Sequence, residues 1–136
     1  MKIGVCFIGI LHSVMLLSRL RGRKNNEYVL KNGNVWKGKT MIIRWLQGHP
    51  RNLSGVPAAS RFYLGTFASA HLHPSSVRRN RMRRRCREAL RITLAERKEL
   101  ATVQVLMTPK IPSLTCDFEV IIADVAAFLA VLERGR

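Results

Sequence analysis

Residues 78 to 91 read RRNRMRRRCREALR, with eight arginines against a single acid, Glu88. Arginine carries a permanent charge on a planar fork of N–H donors. That fork matches the oxygens of a phosphate and also stacks on nucleobases. Lysine is absent from the run. Like charges four residues apart on a helix repel by about 0.2–0.5 kcal/mol per pair, so this density is costly unless a polyanion lies opposite. The chemistry on offer is phosphate neutralisation. Bond-breaking chemistry finds less support. A two-metal phosphodiesterase needs clustered carboxylates, whereas residues 1 to 87 hold Glu27 as their only acid. Asp117 and Glu119 stand two apart, which on a helix turns them away from one another. No Ser-His-Asp spacing stands out, so no catalytic residue is assigned.

The rest of the composition points the same way. The chain has 136 residues and a formal net charge of +16, and 47% of its residues are hydrophobic. It is globular and of single-domain length. The charge is lopsided: residues 1 to 87 carry 18 Lys and Arg, while residues 88 to 136 carry 6 against 7 acids. Such a field suits nucleic acid or an anionic surface. Cys6, Cys86 and Cys116 are odd in number and widely spaced, with no CxxC pair. That excludes a disulfide framework or a zinc ribbon and fits a reducing, cytoplasmic compartment. His71 and His73 share a face in extended backbone, but two ligands without a third rarely hold a metal; no metal is assigned. The opening MKIGVCFIGIL resembles the front of a secretory signal, is too short for a membrane span and lacks a cleavage pattern. Residues 1–14 are read as an extension or an upstream start outside a domain of residues 15–136.

The elements that must position the arginines follow from periodicity. A helix is expected from Ser18, as N-cap, to Lys31, with Gly33 as its stop. KTMIIRWL, residues 39–46, reads as a strand with Met41, Ile43 and Trp45 on one side and Arg44 between Ile42 and Leu46 on the other. A long loop over 47–60 leads to a second strand, 61–70, expected to pair antiparallel with the first. Pro74-Ser75-Ser76 announces the arginine helix. Met82, Cys86, Ala89, Leu90 and Thr93 form its apolar stripe. A third strand is expected over 101–109, and a last helix over 117–134 with Phe118, Ile121, Ile122, Val125, Leu129 and Leu132 inward. The result is α+β, a small sandwich of helices on a sheet.

At this point a family resemblance becomes specific. Arg79-Asn80-Arg81, Arg83-Arg84 and Arg87-Glu88-Ala89 resemble the signature helix of the bacterial ribonuclease P protein component. SRLRGRKNNEYVLKNGNVWKGKTMIIRWL resembles that family's first helix, glycine stop and first strand. TVQVLMTP and DFEVIIADVAAFLAVLER stand where its last strand and last helix belong. The resemblance spans about residues 17 to 134. It implies a mainly antiparallel sheet like that of the second domain of ribosomal protein S5, with a left-handed β-α-β crossover. It also implies that Arg79, Asn80, Arg81, Arg83, Arg84 and Arg87 face RNA, to which helical spacing adds Arg91. A cleft for the single-stranded 5′ leader of precursor tRNA is implied at Asn26, Tyr28, Leu30, Arg44, Phe67 and His71. Asn26 and Leu30 stand where the family carries two aromatics in its first helix, and Arg44 where it carries one in its first strand. Ala70-His71-Leu72 replaces a Ser-Lys-Lys strand end. These changes favour phosphate pairing over base stacking.

What the resemblance implies about function is a protein subunit of ribonuclease P, the endoribonuclease that removes the 5′ leader in tRNA maturation. The catalytic RNA would hold Mg²⁺ and perform hydrolysis, and the protein would bind that RNA and precursor tRNA. The expected state is a monomer within the ribonucleoprotein, with no cofactor of its own and no membrane. Two rivals share the charge. One is a ribosomal-type structural RNA-binding protein without a catalytic partner. The other is a basic module tethered to a membrane by residues 3 to 17.

Overall fold

The computed structural model describes residues 16–50, 61–97 and 100–134. The apolar extension read over residues 1–14 lies outside the described residues, as does most of the long loop. Nine elements follow one another: β1 (Leu16–Arg19), α1 (Arg23–Asn32), β2 (Asn34–Lys37), β3 (Met41–Gln47), β4 (Arg61–Thr66), α2 (Ser76–Ala95), β5 (Val103–Pro109), a 3₁₀ turn (Ile111–Leu114) and α3 (Phe118–Arg134). The strands form one sheet in the order β1-β4-β5-β3-β2. β3 pairs antiparallel with both β2 and β5, and its seven-residue register with β5 is the longest ladder. β4 pairs parallel with β1 and β5. The unit β4-α2-β5 is therefore a parallel crossover, built around the arginine helix.

Helices cover both faces of the sheet. On one face α2 and α3 bury Cys86, Leu90, Ile121, Phe128 and Leu129 against Ile43, Phe62, Val105 and Met107 of the strands. Each such side chain contributes about 1.5–3 kcal/mol by leaving water. Trp36 and Trp45 pack their rings on Phe128, with centroids 5.7 and 6.4 Å away. On the other face α1 rests on a much smaller cluster of Leu20, Val29, Tyr63 and Leu106. Asp124 of α3 locks the β2–β3 turn: its carboxylate accepts from the Thr40 amide at 2.7 Å and from the Thr40 hydroxyl at 2.6 Å.

Two expectations are corrected. Ser18 does not cap a helix; Leu16–Arg19 is a strand parallel to Arg61–Leu64, and α1 starts only after Gly22, whose φ is 90°. Strands β3 and β4 do not pair, because β5 lies between them. Consecutive strands are neighbours only about two-thirds of the time, and the 47–60 connection is long enough to reach past a central strand. Gly33 does end α1, but its φ is −75°, an ordinary extended value. Glycine is required there by crowding: a Cβ would come within 2.5 Å of the Val29 carbonyl and 3.1 Å of Trp45 backbone.

Candidate nucleic-acid interface

Helix α2 begins where its sequence signals it. The Ser75 hydroxyl accepts from the Arg78 amide at 3.3 Å, which caps the first turn. The buried stripe is Met82, Cys86, Ala89, Leu90, Thr93 and Leu94. Burial pushes the Cys86 thiol up to about 11, opposed by a hydrogen bond with Ser113. The thiol stays protonated at neutral pH and serves as packing, not as a nucleophile.

At about 100° per residue, the charged side chains fall into two flanks and a crest. Asn80, Arg83, Arg87 and Arg91 share the flank toward β4. The Asn80 amide oxygen accepts from the Arg83 guanidinium. Arg87 donates to the Thr66 hydroxyl at 3.1 Å. Arg91 donates to Glu88 at 3.1 Å, which holds that carboxyl below its ordinary range and raises the guanidinium. The pair is exposed, and exposed pairs add little stability. Arg84 stands on the crest. Arg78, Arg81 and Arg85 share the opposite flank, toward the 3₁₀ turn. Arg79 lies beneath, half-buried, and donates to the His73 and Pro74 carbonyls at 2.7 and 3.1 Å. Among the described residues, the side chains of Arg78, Arg81 and Arg84 make no hydrogen bond or ion pair.

The arginines thus divide between scaffold and surface. Arg85 is scaffold: its two Nη groups donate to the carbonyls of Ser113 and Cys116 at 2.7 and 2.6 Å and fasten the 3₁₀ turn to the helix. Arg79 fastens the entry loop. Asn80, Arg81, Arg83, Arg84, Arg87 and Arg91 are left at the surface, but not on one side, since Arg81 belongs to the flank opposite Arg87.

Beside the β4 flank lies a groove of about 510 Å³ between β1, β4, the start of α1 and Arg87. Asn26 and Phe67 line it, as do Arg19, Ser18 and Thr66. Asn26 is held by two carbonyls, donating to Gly22 at 2.8 Å and to Leu20 at 3.2 Å. Its amide oxygen lies only 2.4 Å from where a Cβ on Gly65 would be, so Gly65 is what lets α1 approach the sheet. Phe67 is 55% exposed, a ring presented to solvent beside cations. The other cleft candidates spread out. Leu30 is one turn from Asn26 on the same flank of α1, whereas Tyr28 is on the opposite flank. Arg44 is on the α1 face of the sheet, between Val35 and Leu106 in register. His71 is in the turn before α2. None of these four lines the groove.

Arg19 was missed by the sequence reading because nothing local marks it. It reaches the groove only through the parallel register that sets it beside Leu64. His73, half of the H-x-H pair, accepts from the Ser75 amide through Nδ1 at 3.0 Å and shapes the turn. Among the described residues no three of His, Cys, Asp and Glu gather into a metal-ligand set, and no helix is long and apolar enough to cross a membrane.

Known proteins with this architecture were found by structure. The Staphylococcus aureus RNase P protein matches with a TM-score of 0.62 at 15% identity, covering 83% of this chain and 93% of that one. The Thermotoga maritima RNase P protein matches at 0.63 and 18%, covering 86% and 96%. At such identities the likeness speaks to the fold. No curated protein sequence matches the chain. The family model described as Ribonuclease P matches residues 17–133, which takes in both arginine flanks, the groove and all three helices: the chain belongs to the ribonuclease P protein family.

Proposed function

We propose that this chain is the protein subunit of a bacterial-type ribonuclease P, binding the catalytic RNA through α2 and the 5′ leader of precursor tRNA through the groove beside Arg87. The observation that carries the reading is the guanidinium flank of Arg83, Arg87 and Arg91, of which Arg87 lines that groove, in a chain of this family. Arg87 belongs to both surfaces, so one cation joins the RNA-facing helix to the leader site. Phosphates lie against the flank. Arg19 and Arg87 pair with the leader backbone, and Phe67 offers a face to an unpaired base.

Hydrolysis is assigned to the RNA, which would hold the Mg²⁺ ions. Four of the protein's eight side-chain carboxylates have other work: Glu27 pairs with Arg23, Glu88 with Arg91, Glu133 with Arg97, and Asp124 is buried on Thr40. The protein contributes charge neutralisation and leader binding, so precursor is held more tightly than product. It acts as a monomer within the particle, in the cytoplasm.

The test is reconstitution. Added to ribonuclease P RNA at low Mg²⁺, the chain should stimulate 5′ cleavage of precursor tRNA. No stimulation, together with tight binding to ribosomal RNA, would replace this reading with that of a structural ribosomal-type protein.

A further inference from the structure

Helix α3 is apolar nearly all round, a pattern that normally goes with burial on every side, yet one of its faces is open. Ile121, Val125, Phe128, Leu129 and Leu132 turn inward to the larger core. On the opposite side Val120, Ala123 and Ala127 are exposed, with Ala130 and Val131 half-buried beside them. At about 100° per residue these five fall on one strip. Exposed Glu119 and Arg134 mark its two ends. The strip is also where the chain's positive charge gives out. Residues 111–132 hold three acids and no lysine or arginine, in a chain of net charge +16. Glu133, at the edge of the strip, is already paired with Arg97 at 3.0 Å.

We propose that the RNA-free chain pairs with a second copy of itself through this face, as an antiparallel α3–α3 dimer about a two-fold axis passing between Ala126 and Ala127. The occupant is a second copy because the strip is complementary to its own reverse. Turned about that axis, Glu119 of each copy meets Arg134 of the other, Ala123 meets Ala130, and Val120 comes against Val131. An isologous contact requires such self-complementarity. Elsewhere on this basic chain two copies would bring cations together; here each end of the strip supplies the charge that the partner's end lacks. Alanines at the crossing let the helix axes approach to about 8 Å, the close end of helix packing. The helix is 17 residues long. A strip about 25 Å long and about 10 Å wide offers each copy roughly 250 Å², well short of the roughly 800 Å² per partner of a standard interface. The dimer is therefore weak and concentration-dependent. The Arg83–Arg87–Arg91 flank lies on the far side of α2 and stays free, so the reading of one copy per particle is unaffected. The pairing does not rest on the assignment to ribonuclease P.

Sedimentation equilibrium of the full chain without RNA, from micromolar to near-millimolar concentration, tests it. Wild type is compared with Ala127→Glu, Glu119→Arg, Arg134→Glu and the double swap Glu119→Arg/Arg134→Glu. All three positions are exposed and every new residue is a good helix former, so each variant should fold, which thermal unfolding checks. The mean mass of wild type should climb from one chain toward two. Ala127→Glu sets like charges against each other at the axis and should weaken pairing about tenfold or more. Each single charge change should weaken it a few-fold, and the double swap should restore it. Wild type that remains a single chain at every concentration overturns the proposal. So does a dimer that survives Ala127→Glu, which another surface would then hold, or a double swap that restores nothing. If wild type is monomeric and Ala127→Glu instead weakens binding to ribonuclease P RNA, the face belongs to the RNA; the second copy is then ruled out while the proposed function stands.

Discussion

Helices α1 and α2 lie on opposite faces of one sheet and are held there by different means. Helix α2 carries more charge than any other described element, yet six of its residues are buried, four of them in the larger core. Helix α1 buries Val29 and depends on polar clasps and close approach: Asn26 on two carbonyls, Gly65 beneath it and Gly33 at its end. A row of like charges pushes itself apart, so the element that carries it needs a deep apolar root. A helix that only borders a groove can be light, and its position can respond to what enters.

The difference can be broken at its root first. Leu90→Ala should cost about 2–5 kcal/mol in denaturant unfolding. Val29→Ala should cost about 1–2 kcal/mol, the value of the methyl groups removed. Equal losses would mean that the two helices are anchored alike. Gly65→Ala should come next, at about 1–3 kcal/mol of overpacking. The new methyl displaces Asn26, so amide exchange in α1 should accelerate while that of α2 stays slow. Acceleration in both helices would contradict the separation into two clusters.

On the charged side, Arg84→Ala/Arg87→Ala should leave stability nearly unchanged and flatten the salt dependence of RNA binding by about 1 to 2 slope units. An unchanged slope would mean that the crest and the β4 flank do not touch phosphate. The smallest effect concerns Glu88. Its carboxyl is held down by the hydrogen bond from Arg91, so any stability the pair supplies is present above the ordinary glutamate range and lost as pH falls through the depressed value. Arg91→Ala should bring the Glu88 titration, followed by NMR, back up to the ordinary range. A titration that does not move would show that Arg91 is engaged elsewhere in solution.

Much of this contrast was legible in the residues. The arginine helix announced its start at Pro74-Ser75-Ser76 and its buried stripe from Met82 to Thr93, because a helix is set by local spacing. The last helix and the strand before it were legible for the same reason. What stayed hidden was set by partners far along the chain. LLSR is a strand only because Arg61–Leu64 accepts it in parallel. The neighbour of β3 could not be read from β3 and β4, since β5 comes some forty residues later. The arginine run told its charge but not its division of labour: Arg85 and Arg87 look alike in sequence, and only the position of the 3₁₀ turn makes one scaffold and the other surface. The groove beside β4 was least legible. Asn26 and Phe67 meet at the groove, while Tyr28, Leu30, Arg44 and His71 lie around it, and Arg19 joins through a register with no local signature.

The central claim is that α2 lies against RNA phosphates. The most direct measurement is the affinity of the wild-type protein for ribonuclease P RNA across monovalent salt at fixed Mg²⁺. About six phosphate contacts predict a log–log slope of roughly −4 to −5.5, from single-stranded to duplex-like RNA. A slope near zero, with binding that persists at high salt, would contradict it.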